Sequence, residues 1–191
     1  MIPPTSISRL LETDFEELLI IADAILGKNY ITQRELENYI GNPSKICFVA
    51  RTRGEMSGFQ QIQICHYNEL MTLALSEKSW FNLQFSHNLP IGVLKTIAIS
   101  TKFQKQGIGT ILTKKSLEVL TKSTNNILSI CWVLNGVVPY SRILIGCGLA
   151  ELRKINSLWK KDSLAKKYDC TCCGKPPCLC NAIIYTSTHY S

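Results

Sequence analysis

Apolar and polar positions alternate along this chain with two different periods. Over 14–26, Phe15, Leu18, Leu19, Ala22 and Leu26 recur at helical spacing, with Thr13 or Asp14 placed to cap the start. A second short helix is predicted over 32–40, where Thr32 and Glu35 have capping-box spacing and Gly41 suits the exit. The apolar run 46–50, a turn centred on Gly54 and a further run over 56–65 predict an antiparallel hairpin. From 66 to 90 the period is mixed, which predicts a long loop or short helix lying over the domain, with a part in the substrate side. Residues 93–100, with Leu94, Ile97 and Ile99, predict a strand. Ile111, Leu112, Ser116, Leu117, Val119 and Leu120 then form one apolar face of a helix. The nearly continuous apolar run 127–134 predicts a strand buried on both faces beside a parallel neighbour, completing a βαβ unit. Pro139 opens a short helix over 140–146, closed by Gly146 and Gly148, and two final strands are predicted over 149–159 and 181–186.

The chain has 191 residues, 46% hydrophobic and 18% charged, which predicts a single folded α/β domain over 1–191. Its longest apolar stretches, such as 18–26 and 143–150, fall short of the roughly 18 to 20 residues of a membrane span. Met1-Ile2-Pro3-Pro4 has neither the basic nor the apolar part of a secretory signal, so a cytoplasmic protein is expected. The net charge of +7 is unevenly placed. Lys102, Lys105, Lys114 and Lys115 crowd one region, and Arg153, Lys154, Lys160, Lys161, Lys166 and Lys167 another. Such clusters suit anionic partners, nucleic acid included, or a plain solvated face; no aromatic residues interleave with them as a base-stacking surface requires.

Between the predicted strand over 93–100 and its following helix lies Gln104-x-x-Gly107-x-Gly109. Backbone N–H groups at such a helix start converge on an anion, and glycine permits both positive φ and close approach, so the segment reads as a pyrophosphate cradle. Lys102, Lys105 and Lys114 add positive charge nearby. The spacing matches neither a P-loop nor a dinucleotide fingerprint. Two glycines also suit an ordinary turn into a helix.

The segment 94–112, from Leu94-Lys95-Thr96-Ile97-Ala98-Ile99 through Gln104-Lys105-Gln106-Gly107-Ile108-Gly109-Thr110, resembles the acetyl-CoA-binding motif of GNAT acyltransferases, with its [QR]-x-x-G-x-[GA] core. A looser likeness runs from about Ile7 to Leu149. It implies a mixed, mostly antiparallel sheet flanked by helices, an α/β (α+β) fold splayed open between the motif strand and its parallel neighbour. Acetyl-CoA would then pair its pantetheine arm with backbone of Thr96, Ile97, Ala98 and Ile99. Gln104, Lys105, Gln106, Gly107, Ile108, Gly109 and Thr110 would hold its pyrophosphate. The family often protonates the leaving thiolate with a tyrosine four residues before the glycine of a Gly-aromatic pair. Here that pair is Gly148-Leu149 and the position is Leu144, so Tyr140, one helical turn earlier, is the candidate acid or else a packing tyrosine. Asn135 would orient cofactor or substrate, or cap the next helix. No general base stands out; Glu69, His66 and His87 fit surface positions better.

Five of the nine cysteines fall within 170–180. Cys170-x-x-Cys173-Gly174 followed by Cys178-x-Cys180 places four thiolates around one ion, with zinc favoured by an all-sulfur set. Cys172 is the spare, although Cys170 and Cys172 can exchange roles, and disulfides or a redox switch are the competing readings. The segment 168–182 is thus a small metal-binding hairpin inserted between the last two strands, while Cys47, Cys65, Cys131 and Cys147 read as small buried apolar residues. Two functions follow: an acetyl-CoA-dependent N-acetyltransferase acting on an amine, or a non-catalytic module of the same fold whose basic zinc hairpin recognises nucleic acid or protein.

Overall fold

The computed structural model describes residues 4–187. In chain order these form β1 (Thr5–Arg9), α1 (Phe15–Ile25), α2 (Gln33–Glu37), β2 (Lys45–Thr52), β3 (Glu55–Cys65), α3 (Tyr67–Leu73), α4 (Lys78–Phe85) and β4 (Ile91–Ile99). There follow α5 (Ile108–Leu120), β5 (Ile127–Trp132), α6 (Ser141–Gly146), β6 (Leu149–Ile155), α7 (Lys160–Lys166) and β7 (Ala182–Ser187). The strands make a seven-stranded sheet in the order β1-β2-β3-β4-β5-β7-β6. Among the described residues only β4 and β5 pair in parallel.

Helix α5 and α6 cover one face of the sheet, over Leu94, Cys131 and Tyr185. Helices α1 and α2 cover Val49, Phe59 and Ala98 on the other, while α3, α4 and the cysteine segment cover Val93, Leu128 and Ile184 there. Thr32 and Glu35 form the expected capping box, and Arg53 with Gly54, both at positive φ, makes the tight turn of the β2–β3 hairpin. Arg51 ties that hairpin to α1 through Asp14 at 2.7 Å and Glu17 at 2.9 Å. Among the described residues no helix is long and apolar enough to cross a membrane.

One strand is new to the sequence reading and three expectations change. Strand β1 is an edge strand of mostly polar, half-exposed residues, with too little alternation to register in the sequence. The 66–90 segment holds two helices whose Leu70, Ala74, Phe81 and Phe85 are fully buried; a break at Leu75, with φ 52, interrupts their common period. The strand expected over 149–159 ends at Ile155, and Leu158 and Trp159 turn into the core ahead of α7. Asp14 does not cap α1 through its side chain; it accepts the Leu11 N–H instead, at 2.8 Å.

Candidate functional site

Strands β4 and β5 are in register only from Gly92↔Ile127 to Leu94↔Ser129. Past Leu94 they part. The cause lies in β4, where the register against β3 slips between Gln61 and Ile62 and leaves Lys95 as an extra residue. A bulge of this kind bends its strand away from a neighbour. It also shifts the alternation, so that Leu94, Ile97 and Ile99 all pack toward α5. Ser129 Oγ donates to the Leu94 carbonyl at 3.0 Å and closes the paired end. From Thr96 to Ile99 the β5-facing edge of β4 has no strand partner.

The loop after β4 leads directly to the start of α5. Gly107 is the residue before the first helical turn, with φ 82 and ψ −1. That left-handed conformation is costly for residues with a Cβ. The N–H groups of Ile108, Gly109 and Thr110 are in the first turn of α5, at its positive end, where a helix offers no carbonyl to them. Gln104 and Gln106 brace this loop with their side chains: Nε2 of Gln104 donates to the Ile99 carbonyl at 3.0 Å and that of Gln106 to the Lys102 carbonyl at 3.1 Å. Of the nearby lysines, Lys102 is paired with Glu55 and Lys115 with Glu118, whereas Lys105 and Lys114 are exposed and form no ion pair among the described residues.

Behind this loop runs a largely buried polar chain. Thr113 Oγ1 donates to the Gly109 carbonyl at 2.7 Å and lies 2.6 Å from the Tyr140 hydroxyl. Gln60 Nε2 donates to that same hydroxyl at 2.8 Å, and Ser116 donates to Gln60 Oε1 at 3.1 Å. Burial raises the Tyr140 hydroxyl well above the ordinary tyrosine value, outweighing these hydrogen bonds. Asn135 is exposed in a two-residue turn with Gly136, both at positive φ, and does not cap α6, which starts from Tyr140. It lines a cleft of about 350 Å³ with Lys154, Cys172 and Cys173. His66 and His87 are exposed, and Glu69 accepts the His66 N–H at the start of α3.

On the opposite face of the sheet, the bulge residue Lys95 and Thr96 line a cavity of about 40 Å³ with Tyr30, Ile31, Glu35, Gln61 and Lys166. Apart from Thr96, the sequence reading missed these groups as site residues, because they come from four elements far apart in the chain. The only available signal was Lys95, the single charge in an apolar strand. Burial lowers its amine below the ordinary lysine value, with Glu35 opposing, and its Nζ lies 3.4 Å from the Tyr39 hydroxyl. Tyr30 packs against Trp132 at 4.8 Å and edge-on against Tyr168 at 5.1 Å.

The Sγ atoms of Cys170, Cys173, Cys178 and Cys180 all lie within 4.8 Å of one another, and Cys172 is exposed outside the set. The knuckle is closed by reciprocal backbone hydrogen bonds between Cys170 and Gly174, and the Leu179 N–H points at Cys173 Sγ at 3.4 Å. Burial opposes ionisation of Cys173, yet that N–H and the neighbouring thiols hold it below the usual thiol value, while burial pushes Cys178 up to about 12. Cys47, Cys65 and Cys131 are buried as expected.

No protein-family profile matches the chain, and no curated protein matches it. Solved structures match it in fold. The ribosomal-protein-S18-alanine N-acetyltransferase of Escherichia coli is 16% identical with a TM-score of 0.64, over 96% of this chain and 93% of that one. A GNAT-family acetyltransferase from Streptococcus pneumoniae is 13% identical with a TM-score of 0.63, over 96% and 98%. Arabidopsis thaliana NAA60, solved in complex with acetyl-CoA, is 14% identical with a TM-score of 0.67, over 96% and 97%. The chain therefore has the GNAT fold, as the motif resemblance implied.

Proposed function

We propose that this chain is an acyltransferase that moves an acetyl group from acetyl-coenzyme A directly to an amine acceptor. One observation carries the reading: β4 leaves β5 after Leu94 at the same end of the sheet where Gly107 opens the first turn of α5. An unpaired strand edge and an anion cradle side by side suit a ligand with an amide-bearing arm and a pyrophosphate. The N–H groups of Ile108, Gly109 and Thr110 hold the phosphates, with Lys105 and Lys114 adding charge, and the edge from Thr96 to Ile99 offers backbone groups to the arm. Neighbours of the same fold are acetyltransferases, one of them solved with acetyl-CoA, which supports this ligand over other pyrophosphates.

Acetyl-coenzyme A, when bound, would supply the thioester carbonyl that a neutral amine attacks; the C–S bond breaks as the C–N bond forms, and the proton shed by the amine is matched by the one that the leaving thiolate takes up. The chain's part is positioning and charge. Backbone donors on the open edge of β4 are placed to stabilise an oxyanion without a charged side chain. The acceptor enters from the cavity lined by Tyr30, Glu35 and Lys95 on the opposite face. Glu35 is the one acid lining it among the described residues, and it faces the amines of Lys95 and Lys166, so the acceptor comes as a neutral amine. Tyr140 acts by holding β3 against α5 rather than by delivering a proton, since its hydroxyl is taken up by Thr113 and Gln60. A reducing, cytoplasmic setting belongs to the same reading, with nine free thiols.

The test is calorimetric titration of the metal-loaded protein with acetyl-CoA, beside a Gly107→Glu variant that sets a carboxylate in the cradle. Saturable binding at about micromolar Kd, weakened at least about 100-fold in the variant, supports the reading and justifies a screen of amine acceptors. A folded parent that binds no acetyl-CoA overturns it.

A further inference from the structure

The cysteine segment does more than close a hairpin, because the residues next to its thiols touch the connection between α1 and α2. Asp169, beside Cys170, donates its N–H to the Lys28 carbonyl at 2.9 Å. Gly27 is pressed so closely on the same segment that a Cβ there would lie 2.0 Å from the Asp169 carbonyl oxygen and 3.2 Å from Cys170 Cα. Tyr168, wholly buried, meets the Tyr30 ring at a right angle. Tyr30 leans on Trp132 at the end of β5 and lines the cavity beside Lys95 and Thr96. At the other end, the Cys178 N–H donates to Ser163 Oγ at 2.8 Å and so fastens the knuckle to α7, the helix that brings Lys166 to the same cavity.

The thiols themselves fit an ion. Cys170 and Cys180 have their Sγ atoms 3.6 Å apart, and Cys173 and Cys180 3.5 Å apart. These separations are far too long for a disulfide bond and close to the roughly 3.8 Å edge of a tetrahedron of sulfurs around zinc. Four soft donors with no oxygen or nitrogen among them select zinc over magnesium or calcium. Without an ion, the four thiols, three of them buried, are crowded on one another, and the knuckle is held by the Cys170–Gly174 backbone pair and the Cys178–Ser163 bond.

We infer that Cys170, Cys173, Cys178 and Cys180 form a zinc site whose occupancy fixes the α1–α2 connection, and through Tyr30 the acceptor side of the cleft. The cradle at the start of α5 lies on the other face of the sheet, in a separate core, and does not depend on the ion. Zinc thus governs acceptor use while leaving acetyl-CoA binding alone. The acceptor consequence rests on the acyltransferase reading; the coupling of metal to the 27–31 segment does not.

The experiment combines metal analysis with hydrogen exchange on the full chain. Purified protein is expected to carry one zinc, to take up cobalt with the absorption of a tetrahedral thiolate site, to keep the metal in Cys172→Ser and to lose it in Cys178→Ser. Loss of zinc is expected to speed exchange over 27–31 at least about tenfold, while the first turn of α5 changes less than about threefold. Gly27→Ala, which replaces no thiol but presses a Cβ on the Asp169 carbonyl and Cys170 Cα, is expected to retain zinc, free the 27–31 amides and leave acetyl-CoA affinity within about threefold, while KM for the acceptor rises. This second variant decides the matter if Cys178→Ser does not fold. A cluster that binds no stoichiometric metal overturns the inference, as does a metal-free or Gly27→Ala protein with unchanged exchange over 27–31. Should the zinc-loaded parent fail to bind acetyl-CoA while 27–31 still answers to the metal, the acyltransferase reading falls and the metal coupling stands.

Discussion

The hydroxyl of Tyr140 sits 2.6 Å from Oγ1 of Thr113, whose own proton is spent on the Gly109 carbonyl at 2.7 Å. The tyrosine must therefore donate to the threonine, and it accepts from Gln60. A hydroxyl so committed is a brace between β3, α5 and the start of α6. Tyr140→Phe is expected to lower stability by about 1–2 kcal/mol, because the Gln60 amide and Thr113 lose a buried partner. Turnover is expected to stay within about tenfold of the parent. Urea unfolding beside steady-state kinetics checks both, and a loss of kcat beyond about 100-fold in a fully stable variant would return Tyr140 to the role of acid.

The two glycines of the loop answer to different constraints, and alanine should separate them. At Gly107 the constraint is backbone: with φ 82, alanine costs about 1–2 kcal/mol and disturbs the first N–H groups of α5. At Gly109 it is space, since a Cβ would lie 3.1 Å from Cδ1 of Ile143, the tip of a side chain able to yield. Gly107→Ala is expected to weaken acetyl-CoA binding about tenfold or more, and Gly109→Ala by less. Equal effects, measured by calorimetry, would mean that the loop's conformation is not what forms the cradle.

What could be read in the sequence is what short segments decide alone. Gln104 to Gly109 lies between an apolar strand and an apolar helical face, so the glycine turn, the start of α5 and the parallel pairing of β4 with β5 followed from local pattern. Thr32 with Glu35 and the spacing of Cys170, Cys173, Cys178 and Cys180 were legible for the same reason. The cavity on the other face of the sheet was not. Tyr30, Lys95 and Lys166 meet only because a bulge turns Lys95 toward α2 and α7 folds back from the cysteine segment, and neither event leaves a periodic trace. Helix α7, Lys-Lys-Asp-Ser-Leu-Ala-Lys, has one half-turn of apolar character and reads as a charged linker. Its buried Ser163 gains meaning only from the Cys178 N–H that it accepts.

Lys95 supplies a pH test. Burial holds its amine below the ordinary lysine value, Lys166 and Lys45 push the same way, and Glu35 and Cys65 oppose. Between the lowered folded value and the ordinary one, the unfolded chain binds more protons than the folded one, so this group makes stability rise with pH across that window. Lys95→Met removes the term. The variant is expected to be more stable than the parent at neutral pH, and the difference is expected to shrink as pH rises toward the ordinary lysine value. Urea unfolding of both proteins at about pH 7 and about pH 9.5 reads this directly, and a constant difference would place the Lys95 amine in contact with water.

Thiol reactivity tests the ligand assignment itself, because Cys170 and Cys172 exchange roles in the sequence but not in the structure. Burial pushes Cys65 up to about 12 and Cys131 up to about 11, and raises Cys47 further still. At about pH 8 a thiol with a pKa near 11 is ionised to only about one part in a thousand, so these three are expected to resist alkylation for as long as the chain is folded. Cys147 is half-buried with a modestly raised value, and Lys114 opposes the rise. Cys172 is exposed and outside the thiol cluster. Mass spectrometry of the metal-loaded protein after brief N-ethylmaleimide treatment is expected to show Cys172 labelled first and Cys147 more slowly, with the cluster untouched. Chelation is expected to open Cys173 next, since it alone of the four is exposed, and the buried Cys170, Cys178 and Cys180 after it. Fast labelling of Cys170 with Cys172 protected would mean that the ion selects the other cysteine of the pair. The backbone link from Asp169 to Lys28 would then start from a residue beside a free thiol instead of a metal ligand.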